Sequence, residues 1–348
     1  MDVRAPVEFA QGALPGAVNL PILDNEERAR VGTTYKKAGR EEALRLGHAL
    51  VSGEIKEQRL ELWARQIQKS PQTVLYCFRG GLRSQITQSW LRERGVDRPL
   101  IEGGFKKARH FLLSEMEQFA QSAKLLVVTG PTGSAKTRFL NRARDAFPSL
   151  DLEAVARHRG SAFGGRPELQ PSQVDFENQL AVEVMKLGRG QEGRQMTVLL
   201  EDESRLIGRC ALPENLFLRM RSSEVLFLET DFEQRVENIL EDYVIHSPIG
   251  QGSPEDAARV FAYYRAATQA ISKKLGGLRT QEVLQDLAVA EERFRLHRDL
   301  AANRAWIAKL LSYYYDPLYA ASLKKRNPSV ILRGSAEVLL SSLQNLRA

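Results

Sequence analysis

Leu125-Leu126-Val127-Val128-Thr129-Gly130-Pro131-Thr132-Gly133-Ser134-Ala135-Lys136-Thr137 is a short apolar run, then a glycine-containing loop, then a lysine and a threonine. The run has the length and composition of a buried strand, and a helix is expected from about Thr137. A strand, a glycine loop and a helix opening on Lys-Thr form the context in which backbone N–H groups and a helix N-terminus bind phosphate oxygens. Gly130, Thr132, Gly133, Ser134, Ala135, Lys136 and Thr137 are therefore candidate polyphosphate-binding residues. Lys136 would neutralise the terminal phosphate, and the Thr137 hydroxyl would hold Mg²⁺. Ala135 stands where such loops usually carry glycine, which it can do if its dihedral is helical.

Downstream, Thr197–Leu200 and Val225–Leu228 read as further buried strands, Ser329–Leu332 as a late one, and Pro254 to about Ala321 as helical. The first of these strands runs into Glu201-Asp202-Glu203, so Glu201 and Asp202 are candidates to support the phosphate loop and its metal. The competing reading is an acidic first turn of a helix. Ala156 to Arg166 interleaves Arg157, His158, Arg159 and Arg166 with glycines. Together with Arg205, it suits the phosphate of a diphosphate ligand or of RNA, although composition alone favours a solvated loop. Tyr313-Tyr314-Tyr315-Asp316-Pro317-Leu318-Tyr319 before Lys324-Lys325-Arg326 reads either as an RNA-stacking surface or as a packed helix with a charged end.

Upstream, Val74-Leu75-Tyr76-Cys77-Phe78-Arg79-Gly80-Gly81-Leu82-Arg83-Ser84 delivers a thiol from a strand into a tight loop. Gly80 and Gly81 let N–H groups turn inward and Arg83 adds positive charge, an arrangement that cradles an anion and favours a thiolate at Cys77. Cys77 then either carries a chalcogen atom or attacks a phosphoester, since the Cys-to-Arg spacing also occurs in cysteine phosphatases.

The first third alternates short apolar segments with helices: Ala17–Pro21, a helical pattern from Glu41 to Ile67 broken near Ser52-Gly53, Thr73–Tyr76, a helix from Ser84 to Arg94, and Leu100-Ile101. The fold class expected is α/β, with one domain over 1–115 and a second over 123–348 that includes a helical region from about 254 to 325. The 348 residues carry 50 Lys and Arg against 43 Asp and Glu, a net +7 that suits a nucleic-acid or polyanionic partner. Only two cysteines and five scattered histidines are present, which argues against a disulfide framework or a cysteine zinc site. No run reaches membrane-span length and the opening lacks a signal-peptide pattern, so a cytoplasmic protein with no membrane association is expected.

Asp2-Val3-Arg4, Glu8-Phe9, Gly12-Ala13-Leu14-Pro15-Gly16-Ala17, Asn19-Leu20-Pro21 and Glu102-Gly103-Gly104-Phe105 resemble the corresponding pieces of rhodanese domains over about the first 110 residues. That resemblance favours chalcogen transfer over phosphatase chemistry. It also implies a first strand most of which the chain, beginning at Met1-Asp2, lacks: either the start site is misplaced or the domain lacks an edge of its sheet. With Gly133-Ser134, Ala156–Gly164, Leu200–Gly208 and the Tyr-Tyr-Asp-Pro string added, the whole chain resembles the bacterial tRNA 2-selenouridine synthase family. The resemblance implies S-geranylation of a wobble 2-thiouridine in tRNA by geranyl diphosphate, then replacement of the geranylthio group by selenium from selenophosphate. Cys77 would carry selenium as S-selanylcysteine with Arg83 and the loop N–H groups stabilising it, and the phosphate loop would bind the isoprenoid diphosphate. It further implies tRNA as partner, a selenophosphate-supplying enzyme as another, Mg²⁺ at the phosphate loop and no tightly bound cofactor. From the residues alone, a sulfurtransferase using ATP and a small-molecule kinase with a regulatory rhodanese module stay open.

Overall fold

The structure, a computed structural model, describes residues 1–144, 147–165, 168–188 and 196–347. The chain divides into two units, Met1–Phe119 with Pro171–Lys186 and Ala120–Gln170 with Leu187–Ala348.

In the first unit Asp2 bridges both Asn19 and Tyr76 in parallel, and Leu75 bridges Leu100. The expected strands are thus single bridges rather than long ladders. Asp2 has a neighbour on each side, so this segment is internal to the sheet and not an edge. The Asp-Val-Arg pattern forms a buried latch. Arg4 pairs with Asp2 at 2.6 Å, donates to the Gly12 carbonyl at 2.8 Å and lies over the Phe105 ring at 4.1 Å. Asn19 Nδ2 donates to the carbonyls of Asp2 and Arg4 at 3.1 and 2.8 Å. Both Asp2 carboxylate oxygens are thereby satisfied, as a buried ion pair requires.

Helix Asn25–Leu50 opens on a capping box between Asp24 and Glu27 and breaks at Gly39, whose φ of 84° L-residues disfavour. Helix Gly53–Lys69 buries Leu60, Trp63 and Ile67, one helical face, into a core shared with Leu75, Cys77, Trp90 and Leu91. Helix Leu82–Glu93 follows the Cys77 loop. Helix Gln173–Gly188 lies after the phosphate loop in sequence, yet most of it belongs with this unit. Asp175 accepts from the Ala13 N–H at 2.7 Å, Asn178 donates to the Ala13 carbonyl at 2.7 Å, and Arg109 bonds both Glu177 and Asn178.

The second unit is a parallel five-stranded sheet with helices; the sequence predicts its α/β character and four of its strands, but not Ser149–Leu150. Its strands are β1 (Lys124–Thr129), β2 (Ser149–Leu150), β3 (Thr197–Glu201), β6 (Glu224–Leu228) and β7 (Val330–Gly334), in the order β2-β3-β1-β6-β7. A small antiparallel pair, β4 (Leu206–Ile207) and β5 (Cys210–Ala211), turns at Gly208. β1 is central, and all but its first residue are buried, which is why it reads as an unbroken apolar run. A helical layer packs around Phe261, Tyr264, Phe294 and Trp306. It includes two π-helical segments, Glu241–Ile245 and Leu311–Tyr315. No helix among the described residues is long and apolar enough to cross a membrane.

Candidate active sites

The phosphate loop joins β1 to helix Lys136–Ala143. Asn238 Nδ2 holds the Gly133 carbonyl at 2.8 Å, and the Lys136 ammonium curls back to the Gly130 carbonyl at 3.3 Å. The N–H groups of Gly133, Ala135, Lys136 and Thr137 meet no protein acceptor among the described residues, so they form an open anion nest. Ala135 differs from expectation: its φ of 58° and ψ of 41° are left-handed, not right-handed helical. The loop therefore holds an alanine where glycine is favoured, at a local cost of about 1–2 kcal/mol.

Thr137 Oγ1 donates to Glu201 Oε2 at 3.1 Å. The other Glu201 oxygen is buried with no partner, and carboxylate oxygens of Glu153, Glu201 and Glu203 lie within 4.8 Å of one another. Burial first, then the charges of Glu153 and Glu203, push the Glu201 carboxyl well above the usual range against the pull of Lys136. Burial and Glu153 push Glu203 up to about 8. Three crowded carboxylates with an orphaned oxygen and a threonine hydroxyl are the hard, all-oxygen donors that Mg²⁺ takes, so these residues fit the metal that the loop implies. Asp202 does not join them. Its oxygens accept from Thr129 at 2.6 Å and from Arg326 at 2.5 Å, so the acid beside Thr137 is Glu201.

Both raised carboxyls bind their proton more tightly in the folded chain than at their ordinary value of 4.5. Without metal, the stability this contributes is complete below that value and is lost as pH rises through about 8. A divalent cation must displace those protons. The rise in Tm on adding Mg²⁺ is therefore expected to be clearly larger at about pH 8.5 than at about pH 6 in calorimetry. Equal rises at both values would remove the carboxylate cluster as the cation site.

These groups line a cavity of about 690 Å³ with Arg159, Arg205, Arg221, Arg326 and the rings of Tyr243, Tyr315 and Tyr319. The Arg159 guanidinium lies over the Tyr243 ring at 4.9 Å. Gly160, at φ 66°, lies where a Cβ would come 2.4 Å from a Glu203 oxygen, so only glycine lets this arginine loop approach the acids. Burial and the neighbouring Arg326 lower the Arg221 pKa, with Asp202 opposing. Two guanidiniums against one carboxylate leave positive charge facing the cavity. Arg157 is exposed outside the cavity lining, His158 Nδ1 accepts from the Gly160 N–H at 3.1 Å, and Arg166 lies outside the described residues. The tyrosine-rich stretch forms part of the cavity wall: Tyr319 contacts Thr129 at 3.2 Å and Asp316 pairs with Arg235 at 2.8 Å. Sequence reasoning missed Tyr243, Arg221 and Glu153. A narrow apolar slot beside the phosphate loop, lined by Phe163, Ile239, Trp306 and Leu310, shares Thr132, Tyr243 and Tyr315 with the cavity.

The second site lies in the first unit. Cys77 is buried at the end of its strand segment, and Ser84 Oγ donates to Cys77 Sγ at 3.2 Å and contacts the Gly81 carbonyl at 3.1 Å. Gly80 has a φ of 65°, and Gly104 packs so closely that a Cβ there would meet the Cys77 carbonyl oxygen and the Gly80 nitrogen at 2.3 Å, which explains the Gly-Gly-Phe turn. The N–H groups of Arg79 to Ser84 meet no protein acceptor among the described residues. Arg83 does not point at the thiol unaccompanied: it is bidentate to Glu8 at 2.5 and 3.1 Å. Burial alone would raise the Glu8 carboxyl, but Arg83 outweighs it and holds it below the usual range. Burial likewise opposes the charge on Arg83, yet Glu8 and then Cys77 raise its pKa. Glu8 and Ser84, both inside quoted motifs, are thus further members of this site. A cradle of open N–H groups with a fixed guanidinium is suited to an anion at sulfur; the other site offers donors suited to a polyphosphate and a cation.

Residues 123–348 match a family model described as the AAA domain of tRNA 2-selenouridine synthase, and residues 1–110 match the rhodanese-like domain. The tRNA 2-selenouridine synthase of Nitrosomonas europaea is 50% identical over 99% of this chain and 94% of its own length. That of Nitrosomonas eutropha is 50% identical over 99% and 93%, and that of Bdellovibrio bacteriovorus 50% identical over 99% and 94%.

Proposed function

The chain belongs to the tRNA 2-selenouridine synthase family, enzymes acting on tRNA, and from that premise we propose that it converts 2-thiouridine in tRNA to 2-selenouridine through an S-geranyl intermediate, using geranyl diphosphate and selenophosphate. The observation that carries the first donor is the make-up of the phosphate-loop cavity. One end is an anion nest with a lysine, arginines and carboxylates; the rest sets Phe217, Ile239, Leu318 and Leu323 among tyrosines and serines. A charged head suits the nest and a hydrocarbon tail suits the apolar side chains of the wall.

A thiocarbonyl sulfur leaves poorly, and alkylation makes it a thiolate leaving group. The 2-thiouridine sulfur attacks the first carbon of the geranyl chain, the C–O bond breaks, and its electron pair leaves on diphosphate. The nest N–H groups, Lys136 and the arginines stabilise that charge. Thr137, Glu201, Glu203 and Glu153 would hold a divalent cation, which adds further neutralisation of the leaving diphosphate. At the second site a selenium nucleophile adds to C2 of the base, the C2–S bond breaks and geranylthiolate departs to be protonated. Cys77 is the residue proposed to bring that selenium.

The test uses full-length protein, tRNA containing 2-thiouridine and mass spectrometry of its nucleosides. Geranyl diphosphate alone is expected to give the geranylthio nucleoside, and both donors together 2-selenouridine. Selenouridine formed only with ATP, or with no geranylthio species at any time, would overturn the proposal.

A further inference from the structure

A cavity of about 650 Å³ lies in the first unit, between helix Asn25–Leu50 and helix Leu82–Glu93. Its volume falls in the range of small-ligand sites, roughly 300–1,000 Å³. Its walls are mostly apolar, with Leu23, Val31, Ala43, Ile86 and Trp90 prominent. Helix Asn25–Leu50 has 26 residues yet buries only Ala43. A core-facing helix normally buries a whole apolar stripe. Here Val31 and Leu50 pack against the core only in part, and Val31, Ala43 and Leu44 line the cavity.

The cavity is tied to Cys77 through Arg83. That side chain belongs to the Cys77 loop, lines the cavity and is fixed by Glu8. We propose that this cavity receives the hydrocarbon tail of the geranylthio base during the selenium step, so that Cys77 is offered only bases that have already been alkylated. The inference rests on the S-geranyl intermediate of the preceding section. In that intermediate the sulfur bearing the tail is bonded to the carbon under attack, so the ten-carbon chain must lie close to whatever serves that carbon. An apolar cavity sharing a wall residue with the thiol loop is where water would be excluded from such a chain. An unmodified 2-thiouridine has nothing to place there and gains none of that binding, which imposes the order of the two steps. Each methylene buried is worth about fourfold in affinity.

The test compares RNA stem-loops carrying S-geranyl- or S-methyl-2-thiouridine as substrates for the intact enzyme with selenophosphate and a thiol. The wild-type kcat/KM is expected to favour the geranyl RNA by at least about 100-fold. Gly32→Leu places a side chain in the cavity at a helical position with nothing within 4 Å, and leucine there also raises helix propensity. Val31→Trp fills the same space. Both are expected to bring the ratio within about threefold of unity. The S-methyl RNA, too short to use the cavity, is the internal reference for folding and for the Cys77 site in each variant. A wild-type enzyme with no preference, or two variants that keep the full preference, would overturn the proposal. Failure of the wild type to use either S-alkyl RNA would instead overturn the two-step reading on which it rests.

Discussion

Cys77→Ala is expected to leave S-geranylation of tRNA intact and to reduce 2-selenouridine to background, a loss of at least about 10³-fold. The side chain is only 3% exposed and packs in the core of the first unit. Removing its sulfur costs stability by a small buried volume, on the order of 1 kcal/mol. Ser84 loses one contact but keeps the Gly81 carbonyl, so the variant should fold and the loss should be chemical. Accumulation of the geranylthio nucleoside is then the positive signature.

The by-products distinguish how selenium passes. If the Cys77 sulfur attacks the selenium of selenophosphate, the Se–P bond breaks with its pair on phosphorus, and phosphite is released. The perselenide then attacks C2 and geranylthiolate leaves; an added thiol attacks the Cys77 sulfur, the S–Se bond breaks with its pair on the base selenium, and a second thiol reduces the mixed disulfide left on Cys77. If selenophosphate attacks C2 directly, water later cleaves Se–P and the product is phosphate. Phosphite from the wild type and none from Cys77→Ala is the expected result for a carrier. Phosphate alone, with Cys77 still required, would move Cys77 from carrier to a different catalytic role.

The phosphate loop, the four strands named from the sequence in the second unit and the Cys77 loop were all legible because their signals are local. An apolar run of four or five residues ending in glycine needs no long-range knowledge. The choice between Glu201 and Asp202 was not local. Successive strand residues point to different sides, so one acid meets Thr137 and the other a different set of partners, and sequence does not say which. The β1–β3 register decides it by putting Glu201 opposite Val128. Glu153 was invisible because it reaches the cluster from beyond β2, which pairs with β3 only in three dimensions. Helix Gln173–Gly188 reads as amphipathic, and amphipathicity reports that a face is buried without naming the partner. Tyr243 and Tyr315 sit in π-helical segments, where an extra residue per turn shifts side chains off the ordinary helical stripe. Such segments recur at functional sites, and both tyrosines here face the phosphate-loop cavity.

Lys136→Ala is expected to act in the opposite sense to Cys77→Ala: geranylation should fall by about 10²–10³-fold, while pre-geranylated RNA is still converted to selenouridine. The ammonium bonds the Gly130 carbonyl, and its charge opposes the upward shift of both Glu201 and Glu203. Removing it has two effects of one sign. The departing diphosphate loses its nearest fixed positive charge, and the carboxylates hold their protons more tightly, which weakens cation binding. Stability should change little. The bond to the Gly130 carbonyl is worth about 0.5–1.5 kcal/mol, and three crowded acids can relieve their repulsion by keeping a proton. The two effects separate by titration. If weakened cation binding dominates, high Mg²⁺ restores geranylation; if the lost charge on the leaving group dominates, saturating Mg²⁺ restores little. Glu201→Gln, which leaves Lys136 in place, should respond to Mg²⁺ and fix the scale of the first effect. Equal loss of both reactions in a folded Lys136→Ala enzyme would mean that the phosphate loop also serves the selenium step, and the assignment of one reaction to each site would fail.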